Sequence, residues 1–232
     1  MQVFLLAAGK GTRLKPLTKQ IPKCLVKIKG TPLLEIWIKK FSKININSII
    51  INTHYLSYKV NKFIKKLRLD KKIFILNEVK LLGTAGALKK NIKLIHDDDF
   101  FLIHADNYCE ADLKKFITSH KNRPTNCVMT MMLFETKFPE KCGIVEIDSQ
   151  GIVQKFYEKK KDTKSNLANA AIYLLSRKFF KNFINDHQNL TDFSNDIIPK
   201  LVGKIYTHKI SDVLIDIGSI ENYKLANKIA RF

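Results

Sequence analysis

The sequence predicts an α/β fold with a doubly wound, mostly parallel mixed sheet. Buried-strand patterns alternate with amphipathic helical patterns from the N-terminus to Asp106, as in βαβ units. A Gly-rich, cationic loop follows the first strand directly, which is where such sheets commonly bind anions. From residue 127 the pattern becomes β-rich, and no Gly/Ser/Pro linker intervenes. We therefore predict one domain, 1–232, with halves 1–126 and 127–232.

In the first half, apolar runs of strand length are separated by helical periodicities. Thr31 is predicted to cap a helix with Pro32 at its first position. The predicted strands are Gln2–Ala8, Cys24–Ile28, Ser48–Asn52, Ile73–Leu76 and Phe100–Ala105, and the predicted helices follow Pro32, cover Val60–Leu67 and begin near Thr84.

The second half is predicted to be mostly extended. Ser149–Gly151 forms the turn of a hairpin, and Ser219 caps a final helix that ends near Arg231. The predicted strands are Cys127–Phe134, Gly143–Asp148, Ile152–Glu158, Ala168–Leu175, Lys204–Lys209 and Val213–Asp216, and a short helix opens at Asp192.

Composition narrows the class of protein. The chain has 232 residues, of which 45% are hydrophobic, enough for one substantial core. We recognise no apolar run of membrane-spanning length and no signal-peptide pattern. The four cysteines form no C-x-x-C pair, so the sequence predicts neither a zinc site nor a disulfide framework. We expect a cytoplasmic protein with no membrane partner.

The net charge of +20 raises the question of nucleic-acid binding. Lysine supplies most of that charge, whereas arginine is the usual reader of bases and phosphates. Many of the lysines lie along predicted helix faces, where solvation explains them. We therefore predict no nucleic-acid partner.

The loop after the first strand has the composition of a polyphosphate cradle. Gly9 and Gly11 let backbone amides approach anionic oxygens, and Arg13 adds positive charge. Leu14 replaces the third glycine of a dinucleotide fingerprint, and no Gly-Lys-Ser/Thr follows, so this is not a Walker A loop.

Longer motifs extend this interpretation. The run from Leu6 to Leu14, then Pro16-Leu17-Thr18 and Pro22-Lys23, resembles the motif of the sugar-1-phosphate nucleotidyltransferases. Later segments are similar to further elements of that family in the same order: Cys142-Gly143, Glu158-Lys159-Lys160, Asn169-Ala170-Ala171-Ile172-Tyr173 and Asp216-Ile217-Gly218-Ser219. The resemblance implies a Rossmann-like, GT-A-like fold with a nucleotide-binding half and a β-rich sugar-phosphate-binding half.

The resemblance also implies roles for individual residues. Asp106 and Asp216 would hold Mg²⁺, and Arg13 and Lys23 would act in catalysis on the phosphates. The implied nucleotide-binding residues are Ala7, Ala8, Gly9, Gly11, Thr12, Arg13, Glu78, Gly83 and Thr84; the implied sugar-phosphate-binding residues are Asn107, Gly143, Glu158 and Asn169. A nucleoside triphosphate and a sugar 1-phosphate would be the partners, a homodimer is left open, and the product would serve cell-surface polysaccharide synthesis.

Elementary chemistry agrees with these roles. A sugar 1-phosphate is already an anionic nucleophile, so attack on the α-phosphorus with in-line loss of pyrophosphate needs positioning and charge neutralisation. Carboxylates on Mg²⁺ and cations on phosphate oxygens supply both.

Glu78 and the segment Leu82–Gly86 bear on the base. A carboxylate can accept both N1–H and N2–H of guanine, whereas uracil or thymine suits an amide. Leu82–Gly86 also looks like the mannose- and heptose-1-phosphate guanylyltransferase branch, so GTP is favoured. Lys160 and Ala171 depart from the family pattern and leave the sugar open.

Other interpretations remain at this point. Asp106 could form an Asx-turn, and Asp216 could cap a helix. The chain could be a choline-phosphate cytidylyltransferase, although it has a single tryptophan for an aromatic cage. A uridylyl- or thymidylyltransferase for a sugar 1-phosphate and a non-catalytic nucleotide-sugar-binding regulator are the further alternatives.

Overall fold

A computed structural model describes residues 1–67, 72–161 and 163–231. The strands are β1 (Gln2–Leu6), β2 (Lys27–Ile28), β3 (Thr31–Pro32), β4 (Ser48–Thr53), β5 (Lys72–Asn77), β6 (Asp99–His104), β7 (Asn107–Cys109), β8 (Met129–Glu135), β9 (Gly143–Ile147), β10 (Val153–Glu158), β11 (Leu167–Ser176), β12 (Ile205–Lys209) and β13 (Leu214–Asp216). The α-helices are α1 (Leu33–Ser42), α2 (Ser57–Lys66), α3 (Gly83–Asn91), α4 (Leu113–Lys121), α5 (Arg177–Asp186) and α6 (Ile220–Ile229).

The chain forms two compact units. The first comprises Met1–Leu81, Ile103–Ala111 and Val213–Phe232, and the second comprises Leu82–Leu102 and Asp112–Asp212. The sequence predicts a different division, into a nucleotide-binding half, 1–126, and a sugar-phosphate-binding half, 127–232. That division stays a prediction.

The first unit contains a parallel ladder in which β4 pairs with both β1 and β5. All five residues of β1 and all six of β4 are buried, which explains their continuous apolar runs. Leu6 lies opposite Asn52, and Asn52 lies opposite Leu76. The strands therefore end at the same level, and the loops that follow them share one edge.

The second unit contains β8 to β12, which lie in the part of the chain from residue 127 that is predicted to be β-rich. β8 pairs antiparallel with β11 and parallel with β12, and β9 pairs antiparallel with β10. The hairpin turn at Ser149–Gly151 is confirmed, because the Asp148 amide donates to the Ile152 carbonyl at 3.0 Å. Apolar side chains of β8 and β11 form much of this unit's core.

The α/β class with a mixed sheet is confirmed, and two local predictions are wrong. Thr31 does not cap a helix, because Thr31 and Pro32 pair with β2 and α1 begins at Leu33. The predicted strand Cys24–Ile28 is reduced to Lys27–Ile28, since Lys23–Leu25 form a 3₁₀ turn.

Several helix boundaries depend on polar caps. Asp192 and Ser219 cap the helices predicted to follow them. Two further helices, α4, which Asp112 caps, and α5, are not among the predicted elements. In the part of the chain that the structure describes, no helix is long and apolar enough to cross a membrane.

The glycine that begins α3 has no room for a larger side chain. Gly83 has φ +77°, and a Cβ there would lie 2.2 Å from the Thr191 carbonyl oxygen; Gly203 has φ +82° with open space around it. Gly203→Ala should therefore show only left-handed strain, about 1–2 kcal/mol. Gly83→Ala should lower the free energy of unfolding, measured by urea titration, by about 1–3 kcal/mol more because of the collision. Equal losses in the two variants would contradict this account.

Candidate active site

The Gly-rich loop folds over Lys23 in the first unit. Gly11 has φ +62°, and a Cβ there would lie 3.0 Å from Thr18 Cγ2 and 3.2 Å from Lys23 Cβ. The Thr18 hydroxyl donates to the Gly11 carbonyl at 2.7 Å, which fixes the turn. Glycine at this position therefore meets two demands, a left-handed backbone and close approach of the lysine stem.

Lys23 joins the two carboxylates that the sequence analysis assigns to a metal. Its side chain is buried, with 8% of the residue exposed. Its Nζ donates to Asp106 Oδ2 at 2.5 Å and to Asp216 Oδ1 at 3.2 Å. We call these three residues the lysine–carboxylate triad. Catalytic phosphate contact by Lys23 stays a prediction, because here its ammonium group is engaged by carboxylates.

Local backbone structure explains why these carboxylates converge. Asp106 follows β6, and Asp216 ends β13, which pairs antiparallel with β7 so that Asp216 lies opposite Asn107. The Ile217 amide donates to the Asp106 carbonyl at 3.0 Å. Asn107 is buried, and its carbonyl accepts the Trp37 indole N–H at 2.9 Å. Two short strands thus bring distant aspartates together.

The triad has complementary electrostatics. Burial by itself would lower the pKa of Lys23, but the charges of Asp106 and Asp216 outweigh it and raise that pKa above its ordinary value. Burial would likewise raise the pKa of Asp106, and the positive charge of Lys23 outweighs it and lowers that pKa. The charged forms of both Lys23 and Asp106 are thus favoured at neutral pH.

The Arg13 guanidinium also lies near the triad, and Gly218 lies beside both Arg13 and Asp216. A Cβ on Gly218 would lie 2.7 Å from Asp216 Oδ2 and 3.0 Å from Arg13 Nη2. Any larger residue would displace the carboxylate or the guanidinium. Gly218 is not among the predicted site residues, although its place in the Asp-x-Gly motif was a signal for it.

The other predicted residues of the loop lie at the carboxyl end of β1. The Ala7 amide donates to the Asn52 carbonyl at 3.1 Å, and Ala8 is buried. Gly9, Thr12 and Arg13 are more open; nothing lies within 4 Å of a Cβ built on Gly9, and Thr12 and Arg13 are exposed. Their amides and side chains are thus disposed to meet an anion.

Asn52 is a polar residue that the sequence analysis missed. It is buried; its Oδ1 accepts the Ala7 amide at 2.9 Å, and its Nδ2 donates to Glu78 Oε1 at 2.8 Å. Glu78, 4% exposed, follows β5, and its amide donates to the Thr53 carbonyl at 2.7 Å. Asn52 therefore links the Gly-rich loop to the predicted base-reading carboxylate.

The donor set fits Mg²⁺. One ammonium nitrogen contacts both Asp106 and Asp216, so the carboxylates face a common point, as ligands of one cation must. Among the described residues, no group of three or more His, Cys, Asp and Glu side chains could hold a metal. Two carboxylates, with water and substrate phosphates completing the shell, is the usual arrangement for protein-bound Mg²⁺.

Gly83 and Thr84 begin α3 in the second unit. The Thr191 carbonyl accepts the amide of Ala85 at 3.0 Å. The Thr84 hydroxyl accepts the Phe193 amide at 2.7 Å and lies 3.4 Å from Asp192 Oδ2. These contacts fasten the start of α3 to the segment Thr191–Phe193, and nucleotide binding by Gly83 and Thr84 stays a prediction.

Gly143 and Glu158, both predicted to bind the sugar phosphate, lie together in the second unit. They are register partners of β9 and β10. A Cβ on Gly143 would lie 2.8 Å from Glu158 Oε2 and 2.8 Å from Phe156 Cζ. The glycine therefore lets the Glu158 carboxylate lie directly against the neighbouring strand.

Asn169 lies beside an irregularity of β11. The pairing of β11 with β8 shifts register between Asn169 and Tyr173. Asn169 Nδ2 donates to the Tyr173 hydroxyl at 2.7 Å, and its Oδ1 accepts the Ala171 amide at 2.9 Å. Burial raises the pKa of Tyr173, so its hydroxyl remains neutral. Tyr173 orients Asn169 and was absent from the predicted site.

Ala171 has φ +53°, a left-handed conformation, where the family resemblance has glycine. We therefore expect Ala171→Gly to relieve about 1–2 kcal/mol of backbone strain, offset by about 0.5–1 kcal/mol of added chain entropy. Its free energy of unfolding should match or exceed that of the parent chain. Ala170→Gly is the matched control and should lose about 1 kcal/mol. Equal destabilisation of both variants would show that the strain is absent.

Comparison with known proteins shows which family the chain belongs to. Residues 2–231 match the nucleotidyl transferase family, so one family domain fills the chain, as predicted. The D-glycero-α-D-manno-heptose 1-phosphate guanylyltransferase of Campylobacter jejuni is 30% identical over 224 residues, covering 96% of this chain and 97% of the relative. The mannose-1-phosphate guanylyltransferase catalytic subunit β of Xenopus tropicalis is 28% identical over 96% of this chain, but the match spans only 62% of that relative.

Solved structures agree in fold. HddC of Yersinia pseudotuberculosis is 31% identical, with a TM-score of 0.82 and 98% coverage of both chains. A second structure of HddC, described as complexed with GMP-PN, gives a TM-score of 0.81. A structure from Bacillus anthracis, 22% identical with a TM-score of 0.85, supports the fold alone. This protein has the mostly parallel mixed sheet of the nucleotidyltransferase fold, and it belongs to the nucleotidyl transferase family.

Proposed function

We propose that this protein transfers a guanylyl group from GTP to a sugar 1-phosphate, releasing pyrophosphate. The single observation that carries the proposal is the lysine–carboxylate triad beside the Gly-rich loop, with Arg13 close to Asp216. It brings hard oxygen donors and two cationic side chains together within one unit, and phosphoryl transfer requires both kinds of group.

The nucleophile needs no activation by the protein. A sugar 1-phosphate oxygen is anionic at neutral pH and attacks the α-phosphorus directly, while pyrophosphate leaves on the opposite side. Arg13 is exposed and positively charged, and it is the residue we assign to the developing charge on the phosphates. Gly9, Gly11 and Thr12 shape the loop that receives the triphosphate.

We assign Asp106 and Asp216 to Mg²⁺. When bound there, the ion would neutralise charge on the triphosphate and hold the α-phosphate in line with its nucleophile. The Lys23 ammonium group already contacts both carboxylates, so in our proposal it turns to a phosphate oxygen when a metal takes its place.

The guanine preference rests on the relatives and on Leu82–Gly86. The named relatives in Campylobacter and Xenopus are guanylyltransferases, and the HddC complex contains GMP-PN. Glu78 is buried with one carboxylate oxygen bonded to Asn52, which would hold the carboxylate still for reading a base edge. Direct contact between Glu78 and guanine is tested separately, by substituting Glu78.

Sugar binding is assigned to Asn107, Gly143, Glu158 and Asn169. The carboxylate of Glu158 and the amide of Asn169 suit bidentate hydrogen bonding to sugar hydroxyls. Both named relatives act on 1-phosphates of manno-configured sugars. We therefore propose a manno-configured sugar 1-phosphate as the acceptor.

Pyrophosphate release tests the proposal. Mannose 1-phosphate and the manno-heptose 1-phosphate are each paired with GTP, UTP, dTTP and CTP, and glucose 1-phosphate and choline phosphate serve as comparison acceptors. We expect release with GTP and a manno-configured acceptor to exceed every other combination. No preference for GTP would contradict the guanine assignment, and CTP with choline phosphate as the best pair would contradict the reaction.

Variants test the site in the same assay. Asp106→Asn and Lys23→Met should each lower kcat by about a hundredfold or more, because each removes charge that the transition state requires. Glu78→Gln should reduce the preference for GTP over UTP. The matched control is Lys19→Ala, an exposed lysine of the same segment, which should retain the parent rate. Full activity in Asp106→Asn would show that the site is assigned wrongly.

A further inference from the structure

A cavity lies within the first unit, lined by residues outside the candidate active site. Its volume is about 760 Å³, which falls in the usual size range of small-molecule sites. It is formed by the β2–β3 turn, α1, the end of β7 and the C-terminal segment. The lining residues are Lys29, Thr31, Ile36, Lys39, Lys40, Ser42, Lys43, Tyr108, Cys109, Glu110 and Arg231.

The charge of this cavity is strongly positive. Four lysines and one arginine line it, against a single carboxylate, that of Glu110. Glu110 Oε1 already accepts the Tyr108 hydroxyl at 2.6 Å and the Arg231 amide at 2.8 Å. The one acidic group is thus engaged by neutral donors, and it neutralises none of the cations through a salt bridge in the part of the chain that the structure describes.

Most of the cations also lack an acidic partner elsewhere. Lys39 pairs with Glu35 at 2.7 Å along α1. Within residues 1–67, 72–161 and 163–231, Lys29, Lys43 and Arg231 form no salt bridge. Solvation explains isolated lysines on a convex helix face, but here the cations surround a concavity with a buried tyrosine at its wall. Such a concentration of like charge raises the local affinity for anions.

The residues that line the cavity can bind both the phosphate groups and the other parts of a phosphorylated ligand. Arg231 can bind two phosphate oxygens with its guanidinium fork, and the flexible lysines can neutralise further charge. Thr31 contributes a hydroxyl, and Ile36 contributes apolar surface. We infer that this cavity binds a small molecule that carries two adjacent phosphate groups, either free diphosphate or a nucleoside diphosphate. The inference does not rest on the proposed catalytic function.

Calorimetric titration tests the inference. The parent chain carries Arg13→Ala, which removes the phosphate contact assigned to the active site, and EDTA removes divalent cations. Inorganic pyrophosphate and ADP are the two probes. Adding Lys43→Ala and Arg231→Ala should weaken binding of both probes by about tenfold or more, because two charge-assisted contacts are lost. A higher affinity for ADP identifies the nucleoside diphosphate as the natural class of ligand, and equal affinities identify diphosphate itself.

The matched control removes the same charge elsewhere. Lys178→Ala and Lys204→Ala, two exposed lysines of the second unit, are added to the same parent and should change either affinity by less than about twofold. Equal weakening in the cavity and control variants would reduce the effect to net charge and overturn the inference. Absence of binding to the parent would overturn it as well. Because the readout is binding without turnover, inactivity towards sugar 1-phosphates would leave this result unaffected.

Discussion

The first unit depends on one buried ammonium group. Lys23 is almost fully enclosed, and an enclosed charge is strongly destabilising unless opposite charges and hydrogen bonds compensate it. Asp106 and Asp216 supply both, from positions 83 and 193 residues away in the chain. Asp106 follows β6, and Asp216 ends β13, which pairs with β7, so these strands bring both carboxylates to that nitrogen. The same arrangement leaves two carboxylates beside the Gly-rich loop. The residues that compensate the buried charge are therefore also the residues that we assign to the chemistry.

Glycines allow the functional side chains to approach the backbone. Gly11 accommodates the stem of Lys23, and Gly218 accommodates both the Asp216 carboxylate and the Arg13 guanidinium. In the second unit, Gly143 does the same for the Glu158 carboxylate. At Gly218 and Gly143 a single methyl group would press against a charged group, and at Gly11 it would press against the Lys23 stem and the Thr18 methyl group. This explains why glycines recur next to the candidate site residues in both units.

Local pattern predicted the strands and the motif residues, because buried apolar runs and ordered motifs are visible in the sequence. It could not predict the role of Asn52, which depends on β1 and β4 pairing in one register across distant positions. The local preference of Thr31 for a helix cap lost to strand pairing with β2. The contacts of Lys23 with Asp106 and Asp216 could not be predicted from a local pattern either, because those residues are distant in the sequence. The motif indicated a phosphate contact for Lys23, whereas the structure shows its ammonium group bonded to the two carboxylates.

A double-mutant cycle between Lys23 and Asp106 tests the central claim most directly. The free energy of unfolding is measured by urea titration for the parent, Lys23→Met, Asp106→Asn and the double variant. We predict a coupling energy of about 1–3 kcal/mol, as for groups in direct contact within one network. The exposed pair Lys209 and Glu135, 2.6 Å apart, is the control and should couple more weakly. Additive losses for Lys23 and Asp106, within about 0.3–0.5 kcal/mol, would contradict the account.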